Sequence, residues 1–318
     1  MVHDIFLLAE IQDSLVEPLT PVSLAMVHPG WAVDVAAHGP WYQTIRPTGD
    51  LAWQSGTGAS TAPVLVCGPC GSCLDVAWML LHEKILPDFA AVLAVSQWAG
   101  RGQFRRAWYS PPGNLYAAWV WPWQSKLAFQ EFPDLLSLAA GLAVAAGLEE
   151  LGVPVMLKWP NDLLVRDHKV GGLVVEERGA AVLVGLGINL VEVPPPSMLR
   201  EEHAIPAGDL AWIQLGRDQS AGAVLGPLGW WLHLSAAACR YYENILQGAT
   251  VSYIIRLVEA RLAWLGRPVQ VQGGGLGFDK TVGIILGIAS DGALRLQAVG
   301  REHRFTSGSI VPLITPYF

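Results

Sequence analysis

Apolar residues recur at helical spacing in two segments of the chain. The first segment, residues 72–86, places four large apolar side chains on one side of a helix: Leu74, Trp78, Leu81 and Ile85. The second segment, residues 134–152, repeats this spacing through its leucines and ends at a glycine, a common residue after the last turn of a helix. These patterns predict two helices that each bury an apolar face.

Short apolar runs between polar turns predict a sheet. Five runs have the length and composition of buried strands, namely FAAVLAVSQ, NLYAAWVWP, VMLKWPND, KVGGLVVEE and AAVLVGLGINL. Short turns such as RDHK separate the last three runs, so we expect these to pair as antiparallel neighbours. Two further helices are predicted over residues 228–246 and 250–264, with a break at Gly248.

The two ends of the chain differ from this central pattern. Residues 265–318 contain short strands and an Asp291-Gly292 turn signal, which is typical of a small β-barrel. Residues 1–62 are rich in proline, glycine and tryptophan, and only WAVDVAA and GDLAWQS suggest short strands there. We therefore expect an N-terminal extension of unknown role over 1–62, a central domain over 63–264 and a C-terminal barrel over 265–318.

Composition and charge narrow the function classes. The chain has 318 residues, of which 52% are hydrophobic, enough to build the cores of two domains. A net charge of −7 argues against a general nucleic-acid binder, so an anion-binding site would have to be local. Residues 1–62 contain one basic residue, Arg46, against six acidic ones, so we expect no basic recognition helix and no DNA binding.

Targeting and membrane signals are weak. The start, MVHDIFLLAEIQD, has no basic residues before its apolar part, unlike a signal peptide. The most apolar long stretch, residues 135–157, is interrupted by Glu149 and Glu150, and is therefore a poor match for a bilayer-spanning helix. We expect a cytoplasmic protein that does not bind membranes.

Three of the four cysteines form the run CGPCGSC. Cys67, Cys70 and Cys73 have a spacing that zinc or iron–sulfur sites also use, whereas Cys239 lies far along the chain. A structural zinc site needs four ligands, so we favour small buried residues leading into a helix over a metal site.

An arginine cluster follows the first predicted strand. The loop AGRGQFRRAW contains Arg101, Arg105 and Arg106, and no acidic residue occurs between residues 89 and 130. Its glycines permit close approach to a ligand, a guanidinium matches a phosphate or carboxylate, and Trp108 can stack on a base. The loop is therefore a candidate for closing over a nucleotide; the alternative is a solvated basic turn.

A second candidate site lies in LKWPNDLLVRDHKVGG. Lys158 and Asp162 flank a Trp-Pro-Asn turn at the end of an apolar strand, where a buried charge pair is costly without a purpose. Lys158 and Lys169 are candidate cations for a carboxylate or an α-phosphate, Asp162 for holding Mg²⁺ or orienting a nucleophile, and Asn161 for hydrogen bonding. The alternative is an ordinary salt bridge at a hairpin.

Paired glycines accompany both features. Gly171 and Gly172 follow Lys169 and make room for a ligand. Gly185 and Gly187 are two residues apart, so both open the same face of a strand, and Asn189 ends that strand with a polar group.

The order and spacing of GRGQFRRAWYSPPGNLY, KWPND, KVGGLVVE and GLGINL resemble the catalytic domain of biotin protein ligases. The segment GRPV…GIILGIASDGALRLQ…SGSIV is similar to the SH3-like β-barrel of that family. The resemblance covers roughly residues 63–318. It implies an α+β fold with a mixed or antiparallel central sheet flanked by helices, followed by the small barrel.

The resemblance also implies a reaction. Biotin and ATP, with Mg²⁺, would give biotinyl-5′-AMP and pyrophosphate, and biotin would then pass to a lysine of a biotin carboxyl carrier protein. The catalytic residues would be Arg101, Lys158, Asp162 and Lys169, which we expect to converge on one slot. The loop 99–108 would cover the intermediate and exclude water.

The implied ligand contacts form two overlapping sets. Biotin would be bound by residues around the glycine pairs and the start of the first helix: Ser72, Cys73, Gln97, Gly100, Arg101, Gly102, Gln103, Lys169, Gly171, Gly172, Gly185 and Gly187. The adenylate would be bound by cations and by groups that stack or form hydrogen bonds: Arg101, Arg105, Arg106, Trp108, Lys158, Asn161, Lys169 and Asn189.

The sequence departs from the family pattern at two places. Gln103 replaces a usual arginine, and Arg105 a usual glycine, so we expect Arg105 or Arg106 to compensate. Leu74 stands where the family has asparagine.

Three alternatives to a biotin ligase stay open: a lipoate or octanoyl ligase, a transferase for those acyl groups, and a non-catalytic biotin or adenylate sensor. The sequence does not decide between a monomer and a homodimer, and residues 1–62 do not resemble a winged helix.

Overall fold

The computed structural model describes residues 4–9, 16–45, 51–57, 60–122, 133–198, 205–211, 225–273 and 280–313. In chain order the first elements are β1 (Ile5–Leu8), α1 (Pro21–Val27), α2 (Pro29–Ala37), β2 (Trp41–Ile45), β3 (Leu51–Ser55), β4 (Val64–Cys67), α3 (Cys73–His82), β5 (Ala91–Ala94) and β6 (Leu115–Trp121). The next are α4 (Pro133–Glu150), β7 (Met156–Lys158), β8 (Asp162–Val165), β9 (His168–Arg178), β10 (Ala181–Ile188) and α5 (Pro227–Tyr241). The last are α6 (Val251–Glu259), β11 (Pro268–Gly273), β12 (Lys280–Ile288), β13 (Leu294–Ala298), β14 (Arg301–Phe305) and β15 (Gly308–Pro312).

The chain forms two compact units. The first contains residues 1–123, 171–193 and 208–239, and the second contains residues 124–170, 194–207 and 240–318. Later strands and helices pack with earlier ones, so neither unit is continuous in sequence. The sequence-based boundaries at residues 62 and 264 stay predictions.

The first unit is built on a mixed sheet. Its strands lie in the order β2-β3-β1-β4-β5-β6-β10-β9, with β4 parallel to both β1 and β5 and the other pairs antiparallel. Helices flank this sheet, which confirms the predicted fold class. β1 lies between β3 and β4, so the N-terminal segment supplies interior and edge strands of the sheet.

Alternation along β6 shows how the sheet is covered. Tyr116, Ala118 and Val120 belong to the core cluster that includes α3. Trp119 faces the other side, where its ring centroid lies 5.6 Å from that of Trp231 in α5. Every residue of β6 is buried, as expected for a strand covered on both faces.

The segment WAVDVAA is helical, so its prediction as a strand is wrong. The side chain of His28 accepts a hydrogen bond from the backbone N–H of Gly30, and Pro29 opens α2. Trp31 and Asp34, three residues apart, are the buried positions of this helix. GDLAWQS, by contrast, contains β3 as expected.

Asp34 ties the N-terminal segment to α5. Its side-chain oxygens accept hydrogen bonds from the backbone N–H groups of Leu228, at 2.8 Å, and Gly229, at 2.9 Å. These are first-turn N–H groups of α5, which lack partners within the helix. Asp34 is 2% exposed. Burial raises its pKa to about 6, although the backbone N–H groups act in the opposite direction.

We predict a pH-dependent stability from this carboxyl group. Because its folded-state pKa is raised, the folded protein binds the proton more tightly than the unfolded chain, and the free energy of unfolding falls as pH rises from about 4 to about 6. Asp34→Asn should flatten this dependence by up to about 3 kcal/mol, as measured by urea unfolding between pH 4 and 7. Glu177→Gln, an exposed change on β9, is the control. Identical pH profiles for wild type and Asp34→Asn would contradict the prediction.

The second unit contains α4, the hairpin β7–β8, α6 and the C-terminal sheet. VMLKWPND is divided between the two strands of this hairpin, so its prediction as one strand is wrong: residues 159–161 form the turn. Trp159 is buried in that turn, and its Nε1–H donates to the carbonyl of Gly292, 3.0 Å away. The helix predicted over 228–246 ends its α-helical part at Tyr241 and continues as a π-helical turn, and α6 covers the first part of 250–264.

The C-terminal sheet has five antiparallel strands in the order β14-β13-β12-β11-β15, and Asp291-Gly292 lies in the β12–β13 turn as predicted. This sheet fits an SH3-like domain. In the part of the chain that the structure describes, β14 and β15 each pair on one side, so the sheet is not closed as the predicted barrel would be. No described helix combines the length and apolar character needed to cross a membrane.

Candidate active site

Arg101 is held by carboxylates from two other elements of the first unit. Its Nη1 and Nη2 lie 2.7 and 2.9 Å from the two oxygens of Asp75 in α3, a bidentate arrangement. Its Nη2 also lies 3.2 Å from an oxygen of Glu176 in β9. The absence of acids near Arg101 in the sequence suggested a cation without a protein partner, and the fold supplies two such partners.

Glu176 joins further groups to this cluster. Its other oxygen accepts a hydrogen bond from Trp78 Nε1, at 2.7 Å, and lies 3.5 Å from Arg178 Nη2. The Arg178 guanidinium also stacks over the Trp78 ring, 4.5 Å from its centroid. Sequence reasoning missed both carboxylates. Asp75 has a local signal, because it stands three residues after Ser72 in a Ser-x-x-Asp pattern, common at helix starts.

The backbone of the arginine loop forms its own hydrogen bonds. Gly102 N–H donates to the carbonyl of Arg106, and Trp108 N–H to that of Gly100, both at 2.8 Å. Gln103 begins a 3₁₀ turn over Gln103–Arg105. The Arg106 guanidinium lies 5.5 Å from the Phe104 ring centroid. The side chain of Arg105 lies outside the described residues, so its predicted compensating role stays a prediction.

Gln97 is fixed by residues on both sides of the loop. Its Oε1 accepts a hydrogen bond from Cys73 N–H, at 2.9 Å, and its Nε2 donates to Ser110 Oγ, also at 2.9 Å. Ser72 is the N-cap of α3, and its Oγ accepts from Leu74 N–H. Three of the predicted biotin contacts, Ser72, Cys73 and Gln97, therefore lie together, with Ser110 as a partner that the sequence did not indicate.

The glycines of β9 and β10 lie beside large side chains. Gly172 is directly opposite Gly187, and Gly171 is opposite Ile188. A Cβ at Gly187 would lie 2.5 Å from Trp108 Nε1, so the missing side chain admits the indole. At Gly185 the same space is taken by Val174 and Leu74. In the predicted groove, the Trp108 indole therefore packs against Gly187, and the apolar side chains of Val174 and Leu74 pack against Gly185.

Asn114 organises the segment after β10. Its Oδ1 accepts hydrogen bonds from the backbone N–H groups of Leu190, Val191 and Glu192, at 2.9 to 3.1 Å, and its Nδ2 donates to the carbonyl of Glu192 at 2.7 Å. Asn114 is fully buried. Asn189, at the start of this segment, donates to the carbonyl of Gly208. Asn114 lies within the family-like motif, but sequence reasoning gave it no role.

In the second unit, Asp162 binds two lysines. Its Oδ2 lies 2.6 Å from Lys158 Nζ across the β7–β8 hairpin, and its Oδ1 lies 2.6 Å from Lys169 Nζ. The side chains of Lys158 and Asp162 are 8% and 9% exposed, whereas that of Lys169 is 32% exposed. Burial raises the pKa of Asp162, but the two ammonium groups outweigh it, and the pKa lies well below its ordinary value. Asn161 is half-buried in the hairpin turn.

This arrangement does not fit the predicted Mg²⁺ site. Each oxygen of Asp162 is hydrogen-bonded to an ammonium group, and a third, positively charged neighbour would add repulsion. Among the described residues, no group of three or more histidine, cysteine or acidic side chains is placed to hold a metal ion. The lysine pair and its carboxylate instead form a charge cluster suited to anions.

The cysteine run lies in the core of the first unit. Cys67, Cys70 and Cys73 are buried free thiols. The hydrogen bond with Cys70, together with burial, raises the pKa of Cys67, and burial raises that of Cys73. Cys67 and Cys73 therefore keep their protons at neutral pH, which disfavours the thiolate form that metals bind.

The first unit thus has a mixed sheet with a glycine–arginine loop. The second unit has a paired-lysine hairpin and a sheet that fits an SH3-like domain. A sequence profile of the biotin/lipoate A/B protein ligase family matches residues 75–190. The biotin–[acetyl-CoA-carboxylase] ligase of Paracoccus denitrificans is 32% identical over 226 residues, which cover 68% of this chain and 88% of that protein. The chain therefore belongs to this family.

Other relatives are similar over a comparable share of the chain. The bifunctional ligase/repressor BirA of Escherichia coli is 33% identical over 235 residues, covering 69% of this chain. The match spans only 65% of the length of that relative. Among solved structures, the biotin protein ligase of Aquifex aeolicus in complex with biotin and ATP superimposes with a TM-score of 0.60 at 25% identity. That match covers 78% of this chain and 97% of the Aquifex chain.

Proposed function

We propose that this chain is an ATP-dependent biotin protein ligase. It would form biotinyl-5′-AMP from biotin and ATP, and then transfer the biotinyl group to a lysine of a biotin carboxyl carrier protein. Family membership supports the proposal, as do the activity named for the Paracoccus relative and the biotin and ATP bound in the Aquifex structure. The observation that carries it is the pair of lysines that share the buried carboxylate of Asp162.

The first step joins two anions. A carboxylate oxygen of biotin attacks the α-phosphorus of ATP, and the bond from that phosphorus to the bridging oxygen breaks, releasing pyrophosphate. Repulsion between the carboxylate and the phosphates opposes their approach. We assign Lys158 and Lys169 to offset it, because preorganised cations stabilise charge where it develops in the transition state. Lys169 is the more exposed of the two and is assigned to contact the ligand.

Asp162 has a supporting role in this proposal. Without its carboxylate, two like charges would be held close together with one of them buried, and their repulsion favours movement apart. Each oxygen of the carboxylate holds one ammonium group in place. The carboxylate is thus assigned to orientation rather than to proton transfer.

The second step releases AMP. The amine of a carrier lysine attacks the acyl carbon of biotinyl-AMP, the bond from that carbon to the AMP oxygen breaks, and the amine loses a proton. The mixed anhydride is prone to hydrolysis, so water must be kept away until the carrier arrives. We assign the loop 99–108 to this protection and place Trp108 beside the adenine.

Biotin selection is assigned to the groups around the start of α3. The ureido ring offers a carbonyl acceptor and two N–H donors, and we assign the Ser72 hydroxyl and the Gln97 amide to form hydrogen bonds with them. Leu74 contributes an apolar wall where the family pattern has an amide. We assign Gly171 and Gly172 of β9 to make room for the fused rings, because Trp108 covers Gly187, and Val174 and Leu74 cover Gly185.

The test is the dependence of ATP–pyrophosphate exchange on the acid supplied. We expect exchange with biotin, and transfer of labelled biotin to the carrier domain of acetyl-CoA carboxylase. Exchange with lipoate or octanoate, and none with biotin, would favour a ligase for those acids. Binding of biotin with no exchange would favour a sensor, and either result would overturn the proposal.

A further inference from the structure

The contacts of Arg101 limit what its guanidinium can hold. A guanidinium recognises an anion best through two parallel N–H groups, along its end or along its side. Asp75 takes the end edge, with both of its oxygens bonded to Nη1 and Nη2. Glu176 takes the Nη2 position of the side edge. While these carboxylates stay in place, neither pair of N–H groups of the Arg101 guanidinium is available for bidentate binding of a phosphate.

Exchanging the carboxylate partners of Arg101 for a ligand phosphate would not strengthen its electrostatic interactions. The phosphate of an acyl-adenylate carries one negative charge, as does Asp75, so the exchange replaces one anion with another. It also breaks the bond to Glu176, whose charge is shared with Trp78 and Arg178. Transfer of Arg101 from its two carboxylates to a ligand phosphate is therefore unfavourable.

The bonds of Arg101 connect α3 to the loop. The loop backbone pairs Arg101 with Ala107, and the next residue is Trp108, whose indole lies against Gly187. The segment from Arg101 to Ala107 is closed by the backbone pairing of these two residues. The ion pair with Asp75 fixes the start of this segment, and the Trp108 indole lies just after its end. Asp75 itself is fixed in the first turn of a helix whose inner face is buried.

We propose that Asp75 is a positioning residue for the adenylate-covering loop, and that Arg101 acts through this ion pair rather than by gripping the phosphate. The inference rests on the proposed function, because the loop is assigned there to cover biotinyl-AMP. In this proposal Arg101 has a structural role, which is to position Trp108. The negative charge of the ligands is offset by the two lysines that share Asp162.

A double-mutant cycle tests the proposal. Release of biotinyl-AMP is measured for wild type, Asp75→Asn, Arg101→Ala and the double variant, with the KM for ATP measured alongside. We expect each single change to speed release roughly tenfold, the size of effect typical of one charge-assisted pair, and the double variant to be no worse than Arg101→Ala. Asp75→Glu should restore slow release in part. Glu83→Gln, an exposed change at the end of α3, is the matched control.

The opposite pattern would overturn the idea. If Arg101 grips the phosphate, Arg101→Ala should speed release by more than about a hundredfold, while Asp75→Asn should slow it, because a competing anion is removed. Equal unfolding midpoints for all four proteins would exclude a general loss of stability.

Failure of the proposed function would appear separately, as absence of biotinyl-AMP in the wild type. Hydrogen exchange of residues 100–108 in Asp75→Asn would then still report whether the ion pair holds the loop: faster exchange is expected, and unchanged exchange would overturn the inference.

Discussion

Lys169→Met should slow biotin-dependent ATP–pyrophosphate exchange by roughly 10²–10³-fold, the range seen when one preorganised group that stabilises developing charge is removed. Lys169 is the more exposed member of the lysine pair, at 32%. Methionine keeps much of its length and removes its charge. Asp162 keeps Lys158 as a partner, so we expect the fold to persist.

The matched control for this experiment is Lys280→Met, an exposed lysine in the C-terminal sheet. It removes the same charge from the protein as a whole, and should leave exchange near the wild-type rate. Exchange by Lys169→Met within threefold of wild type, with binding of biotin and ATP retained, would contradict the assignment of Lys169 to the reaction.

Asn114→Ala is expected to lower the free energy of unfolding by about 3 kcal/mol or more. Three backbone N–H groups lose their shared acceptor and one carbonyl loses its donor, and each buried group left without a partner costs on the order of 1–3 kcal/mol when water cannot replace it. Because Asn114 is fully buried, water has little access to these groups. Urea unfolding at neutral pH measures the change.

Tyr109→Phe provides a control in the same network. It removes the exposed hydrogen bond from the Tyr109 hydroxyl to Glu192, and should leave the unfolding midpoint nearly unchanged. If both variants unfold at the wild-type midpoint, the segment after β10 is held by other contacts and the interpretation of Asn114 is wrong.

Several elements could be predicted because their signals are local. α3 has four apolar residues at helical spacing and a serine at its start, and the structure begins the helix directly after Ser72. β5, β6 and β10 are continuous apolar runs, and each is fully or almost fully buried. The Asp291-Gly292 turn follows from the conformations that these residue types allow.

Other features depend on contacts between residues far apart in the sequence. WAVDVAA has valines at alternate positions, which favours a strand, but capping by His28 and burial of Trp31 and Asp34 make it a helix. The Lys-Trp-Pro-Asn-Asp motif was assigned incorrectly to one strand, because it forms the turn of a hairpin. Its hairpin is anchored by the bond from Trp159 to Gly292, which lies 133 residues further along the chain.

The sequence by itself determined the family, the positions of the cations and glycines, and the mixed α and β character of the chain, because these depend on residue type, order and spacing. Only the tertiary structure decided which charges meet. Arg101 pairs with residues 26 and 75 positions away, and β1 enters the sheet between two later strands. Ion pairs and strand order are fixed by the burial of distant surfaces against one another, and no local pattern encodes that choice.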